Sequence, residues 1–148
     1  MIQLARMNEK ISAVAKGMNT KSTARDHHIV IDEPAKMGGS DEGANPLETL
    51  LASLAGCENA VANFVAKEMD FDLQGIDFEI NGELDSRGMM GEKGVRPYFQ
   101  KVTVNATVHT SESEERVKEL QETVDSRCPV YTTLEAADVE LTPNWVKA

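Results

Sequence analysis

The chain contains two cysteines, and each lies where a thiol can do more than fill space. Cys128 opens the stretch CPVYTTLEA, directly before Pro129. Proline is favoured at the first position of a helix, which predicts Cys128 at the N-cap, where unpaired N–H groups and the helix dipole favour a negative sulfur. The adjacent Arg127 would add to that field. The thiolate is the nucleophile in cysteine chemistry, so such a cap is one setting for a reactive thiol. Taken alone, Cys128 reads as a small residue tolerated at a helix end.

Cys57 falls in the middle of an expected helix, on the border between its apolar face and a stripe of small and polar residues that includes Ser53 and Gly56. No dipole end helps it there, and by itself it reads as core. Close approach by another element or a small substrate is sterically possible along that stripe. Glu58 is the odder residue. At about 100° per residue it lies among Leu47, Leu51, Leu54 and Val65, and a carboxylate in that position needs a partner or stays protonated.

Two cysteines are too few for a disulfide scaffold. The histidines, His27, His28 and His109, combine with the cysteines in no recurring zinc spacing, so no metal is expected.

The elements that must position these groups follow from pattern. Residues 1–24 are ambiguous: Leu4, Met7, Ile11 and Val14 keep a helical spacing, whereas Gly17 and Asn19 suggest a turn between short strands. HHIVID, 27–32, predicts a strand, and EPAKMGGSDEGANP a long loop. Asn45, Pro46 and Glu48 then occupy the N-cap, first and third positions of a helix extending to about Met69. Leu47, Leu50, Leu51, Leu54, Val61, Phe64, Val65 and Met69 give it a broad apolar face, predicting a mostly buried helix. Two alternating strands follow, one with Ile76, Phe78, Ile80 and Leu84, the other with Val102, Val104, Ala106 and Val108. SRGMMGEKGVRP between them reads as a mobile connection that either borders a site or forms a hairpin tip. A helix over about 113–126 is expected to start with a capping box of Ser111 and Glu114. CPVYTTLEAA restarts as a short helix, and DVELTPNWV closes as a strand.

At 148 residues the chain predicts a single domain over residues 1–148. Its 41% apolar and 27% charged residues suit a soluble globular protein, and no apolar run approaches the roughly 20 residues that span a bilayer. MIQLARMNEK has none of the features of a secretory signal, which suggests a cytoplasmic protein with no membrane partner. A net charge of -10 disfavours nucleic acid, which is bound by clustered positive charge.

VIDEPAKMGG, then NPLETLLASLAGC opening a long helix, then CPVYTTLEAA near the carboxyl end, resemble the OsmC and Ohr family from about residue 25 onward. The resemblance implies an α+β sandwich with a long central helix, in an intertwined homodimer that buries those helices back to back. It implies a thiol-dependent peroxidase acting on organic hydroperoxides and, less well, hydrogen peroxide, with no cofactor and an external dithiol as reductant. In that reading Cys57 is the peroxidatic thiol, oxidised to a sulfenic acid, and Cys128 the resolving thiol that forms a disulfide with it. The family role thus reverses the order that the local helix-cap argument gives the two thiols.

Two positions depart from the family pattern. The Glu that helps hold an Arg against the thiolate is replaced by Leu47, and the amino-terminal Arg has no clear match: counting back reaches Lys16, and Arg25 is the nearest arginine. Arg25 or another arginine paired with Glu58 is the expected substitute, supporting the thiolate. The replacement at position 47 also leaves open a non-catalytic module on the same scaffold, binding a small apolar or thiol ligand at the dimer cleft. A purely structural dimer, indifferent to both cysteines, is the third reading.

Overall fold

Gly17 adopts a left-handed φ of 59° and the chain reverses around it, pairing Lys16 with Asn19. This settles the amino-terminal ambiguity in favour of short strands, in a computed structural model that describes residues 6–148. β1 (Ser12–Lys16) and β2 (Asn19–Ala24) are antiparallel, and Ala24 pairs with His27 where β3 (His27–Ile31) begins. Of the residues with helical spacing, Leu4 lies outside the described residues, while Val14 is an exposed residue of β1.

The loop after β3 is organised around Asp32. Its buried carboxylate accepts the backbone N–H of Glu33 at 2.8 Å and of Glu42 at 3.3 Å. Gly39 permits this closure, since a Cβ there would stand 1.9 Å from the Glu33 carbonyl oxygen.

The helix start is formed as its sequence predicts. The backbone N–H of Asn45 donates to Glu48 Oε1 at 2.9 Å and that of Glu48 to Asn45 Oδ1 at 2.8 Å, a reciprocal capping box ahead of α1 (Pro46–Met69). Asn45→Ala should lower stability by about 1 kcal/mol. In a thermal melt that is a fall of roughly 2–4 °C, and an unchanged midpoint would show that the box contributes nothing.

The chain divides into two compact units, with the boundary inside α1: the first ends at Leu50 and the second is Leu51–Ala148. The first contains the β1–β2–β3 meander. In the second, β4 (Gly75–Glu83) pairs antiparallel with β5 (Lys101–His109), and β5 pairs in parallel with β6 (Glu140–Lys147). A parallel neighbour needs a crossover connection, which α3 (Glu114–Arg127) and α4 (Pro129–Ala136) provide. Val102, Val104, Ala106 and Val108 point from β5 into the core, as their alternation predicts. They meet Leu54, Ala62, Val65 and Ala66 from α1, Val117, Leu120 and Val124 from α3, and Tyr131 and Leu134 from α4.

Three expectations need correction. α1 is not mostly buried in the chain: its buried residues are Leu54, Glu58, Ala62, Val65 and Ala66, and Phe64 is 63% exposed. At about 100° per residue, Leu50 and Phe64 lie roughly 90° and 130° from the centre of that buried stripe, too far round to reach the same core. The cap of α3 is Ser113, whose hydroxyl accepts the backbone N–H of Arg116, while Ser111 donates its hydroxyl to Asp72. The rival acceptor on Asp72, invisible in the local sequence, takes Ser111 away from the helix. Finally, the connection after β4 is not all loop: it contains α2 (Ser86–Met89), capped by Asp85, and Arg96 donates to the carbonyls of Phe99 and Asp138. Gly88 packs where a Cβ would lie 2.7 Å from the Arg96 carbonyl oxygen.

Candidate active site

The site lies in the second unit, where α1 passes the junction of α3 and α4. Cys128 ends α3 and caps α4: its backbone N–H donates to the Val124 carbonyl, and its sulfur accepts the backbone N–H of Tyr131 at 3.4 Å. Pro129 holds the first position of α4, as the sequence predicts.

That sulfur meets Cys57. The residues are 71 positions apart in sequence, yet Cys128 Sγ donates to Cys57 Sγ at 3.0 Å, and both are free thiols. They differ in access: Cys57 is half-buried on the flank of α1, whereas Cys128 is fully buried among Leu54, Phe99, Val102, Tyr131 and Leu134. A reagent from solvent therefore reaches Cys57 first.

The local electrostatics correct the expectation of an acidic Cys128. Burial pushes its thiol pKa up, the neighbouring Cys57 adds to the rise, and the N–H of Tyr131 offsets only part of it. Arg127 does not help, because its guanidinium turns to the exposed carboxylate of Glu68 at 2.6 Å. The helix end positions the sulfur but does not ionise it, since desolvation outweighs one weak N–H···S bond.

Glu58 is fully buried, where its spacing predicts. A cation is the expected neighbour, but the second unit supplies another acid, Asp125 of α3, which is 8% exposed. Among the described residues neither Glu58 oxygen has a hydrogen-bond donor, and neither has Asp125 Oδ1. Asp125 Oδ2 accepts from Gln121 Nε2 at 2.5 Å. Burial is the largest influence on both carboxyl groups and raises both pKa values; Asp125 raises that of Glu58 further. The Cys128 thiol, which favours charge on Glu58, offsets part of that rise. Burial and the neighbouring acid thus both favour the neutral form of Glu58.

Four groups converge here, Cys57, Glu58, Asp125 and Cys128. Sequence reasoning identified three and missed Asp125, which is buried on α3 although helical arithmetic puts it about 100° round from the stripe of Val117, Leu120 and Val124. Arg25 stands at the turn between β2 and β3 in the first unit, with a φ of 57°.

Two adjacent thiols on a three-helix junction, one accessible and one buried, suit dithiol–disulfide chemistry. A family model described as OsmC-like protein matches residues 39–143. The chain belongs to the OsmC family. Among curated relatives, a hydroperoxide reductase of Mycoplasma genitalium is 30% identical over 125 residues, covering 84% of each chain. Another, the hydroperoxide reductase of Mycoplasma pneumoniae, is 27% identical over 117 residues, 79% of this chain and 80% of that one. In solved structures the same OsmC architecture recurs. The OsmC-like protein of Mycoplasma pneumoniae superimposes with a TM-score of 0.82 at 23% identity, covering 97% of this chain and 99% of that chain. An organic hydroperoxide resistance protein OsmC of Legionella pneumophila gives 0.73 at 18% identity, with 97% and 99% covered. The fold is therefore the α+β arrangement of OsmC proteins, two small sheets and a long helix.

Proposed function

We propose that the protein is a thiol-dependent peroxidase that reduces organic hydroperoxides, and less well hydrogen peroxide, through a Cys57 sulfenic acid and a Cys57–Cys128 disulfide. The observation that carries this reading is the 3.0 Å approach of a half-buried sulfur to a fully buried one. Two relatives named hydroperoxide reductase support the choice of substrate class.

The chemistry proceeds in two displacements. The Cys57 thiolate attacks the terminal oxygen of the hydroperoxide, the O–O bond breaks, and the leaving alkoxide takes a proton to become the alcohol; Cys57 is left as a sulfenic acid. Cys128 then attacks the Cys57 sulfur, the S–O bond breaks, and the oxygen departs as water. The sulfurs must close from 3.0 Å to a bond of about 2.05 Å, a short path for side chains already in contact. An external dithiol reduces the disulfide and restores the enzyme. A second copy of the chain is the other expected partner, in a homodimer that would cover the exposed apolar residues of α1 such as Phe64.

Titrating the reduced protein with cumene hydroperoxide tests this. Two thiols should be lost per chain for each equivalent consumed, and peptide mapping should return a Cys57–Cys128 disulfide. Thiols that stay reduced in excess hydroperoxide would end the proposal, and a saturable ligand shift in that unreactive protein would favour a non-catalytic binding module.

A further inference from the structure

Disulfide closure has a proton requirement that the sulfurs cannot meet alone. Cys128 must lose a proton in order to attack, in a buried site where its thiol resists ionisation. The hydroxide leaving Cys57 must gain one. The peroxidase reading supplies no group for this exchange, yet the structure places Glu58 beside the thiols and Asp125 against Glu58.

We propose that Glu58 and Asp125 share one proton and act as the acid–base group of the disulfide-forming step. The inference rests on the peroxidase reading for its physiological oxidant, but the shared proton and its use in closure do not depend on hydroperoxide.

Three observations carry it. Both side chains are more than nine-tenths buried, and three of their four oxygens lack a partner of full hydrogen-bonding geometry, which is costly for carboxylates unless a proton lies between them. Among the described residues the groups acting on them are not cations: Asp125, Cys128 and Cys57 act on Glu58, whereas Glu58, Gln121 and Glu135 act on Asp125. Tyr131 of α4 also faces both, as a neutral phenol held protonated by burial. Two like charges in such a site cannot both ionise at neutral pH, so one proton is retained, as in other buried carboxyl dyads. Gln121 donates to Asp125, which places the negative charge on Asp125 and the proton on Glu58. Finally, the Cys128 thiol lies close enough to Glu58 to favour charge on it, and oxidation of Cys57 removes the sulfur to which that thiol otherwise donates.

A dyad with one proton has room for a second. As Cys128 Sγ attacks, its proton enters the dyad, which becomes neutral. The S–O bond of the sulfenic acid then breaks, and the departing hydroxide takes a proton from the dyad to leave as water. Atoms and charge balance: sulfenic acid and thiol give disulfide and water, and the dyad returns to its starting state.

The test follows closure directly. Reduced protein is oxidised in one series with cumene hydroperoxide and in another with oxidised glutathione, which forms a mixed disulfide at Cys57 that Cys128 resolves by expelling the glutathione thiol. Stopped-flow measurement coupled to mass spectrometry separates oxidation of Cys57 from closure in wild type, Glu58→Gln and Asp125→Asn. Each variant should slow closure roughly a hundredfold or more beyond any slowing of Cys57 oxidation, within the range typical of general acid–base groups, and should flatten the pH profile of closure. The Cys57 sulfenic acid or mixed disulfide should accumulate. Infrared spectra of reduced wild type at neutral pH should contain a protonated-carboxyl band that Glu58→Gln loses and that Asp125→Asn, where burial still holds the proton on Glu58, shifts in frequency.

Closure at wild-type rates in both variants overturns the proposal, as does absence of that band from the wild type. A structural role alone would change the two steps equally. If Cys57 ignores cumene hydroperoxide but the glutathione series shows Glu58-dependent closure, the peroxidase reading fails and the dyad stands.

Discussion

Cys57→Ser should abolish hydroperoxide consumption, lowering the single-turnover rate at least about a thousandfold, a barrier increase of roughly 4 kcal/mol. Serine keeps the size of the side chain but replaces a nucleophilic sulfur with a hydroxyl that stays protonated at neutral pH. Cys128→Ser should behave differently, because the accessible sulfur remains. It should consume one equivalent of cumene hydroperoxide and stop as a Cys57 sulfenic acid, trapped by a cyclic 1,3-dione. With excess hydroperoxide that variant should proceed to the sulfinic acid, while wild type is protected as its disulfide. Equal consumption by the two variants, or full activity of Cys57→Ser, would place the chemistry elsewhere. The asymmetry of the prediction comes from burial: Cys57 is half-buried and Cys128 is sealed behind it.

Much of this site was legible in the sequence because its elements are fixed locally. The capping box of Asn45 and Glu48 sets the start of α1 and so the angular position of Cys57 and Glu58. Pro129 sets the start of α4 and makes Cys128 its cap. Helical arithmetic from the start of α1 suffices to place Glu58 on the apolar face, where it is buried. The alternation in β5 was equally readable, since one of its faces packs against helices.

What escaped depends on groups distant in the chain. Cys128 sits at a helix N-terminus, which argued for an acidic thiol, but the apolar residues that bury it come from α1, β5 and α4 and reverse the direction. Arg127 is adjacent in sequence yet turns to Glu68, 59 residues away, where two exposed charges meet. Asp125 resembled any acid in a polar helix until the fold set it beside Glu58. Phe64 read as core because helical patterning identifies an apolar side chain but not the surface that covers it; within the chain it stays exposed.

Glu58 gives the second large prediction, in the pH dependence of stability. In the unfolded chain its carboxyl titrates near the ordinary value of 4.5, and in the fold burial and then Asp125 raise it. Below the unfolded value both states hold the proton, and the neutral buried acid makes its full contribution. As pH rises, the unfolded state releases its proton first and therefore binds fewer protons than the native state. Stability must then fall with pH, and the loss continues until the folded group itself ionises. Glutamine at this position cannot titrate and can donate to Asp125, so Glu58→Gln removes the effect. The surface carboxylates with lowered pKa values, Asp72 and Asp85 among them, contribute with the opposite sign but equally in both proteins, and they cancel in the difference. Between about pH 5 and about pH 8 the wild type should lose roughly 2–4 kcal/mol relative to the variant, since one proton over one pH unit corresponds to about 1.4 kcal/mol. Urea unfolding at both pH values measures it, and parallel changes in the two proteins would mean that Glu58 is ionised in the fold.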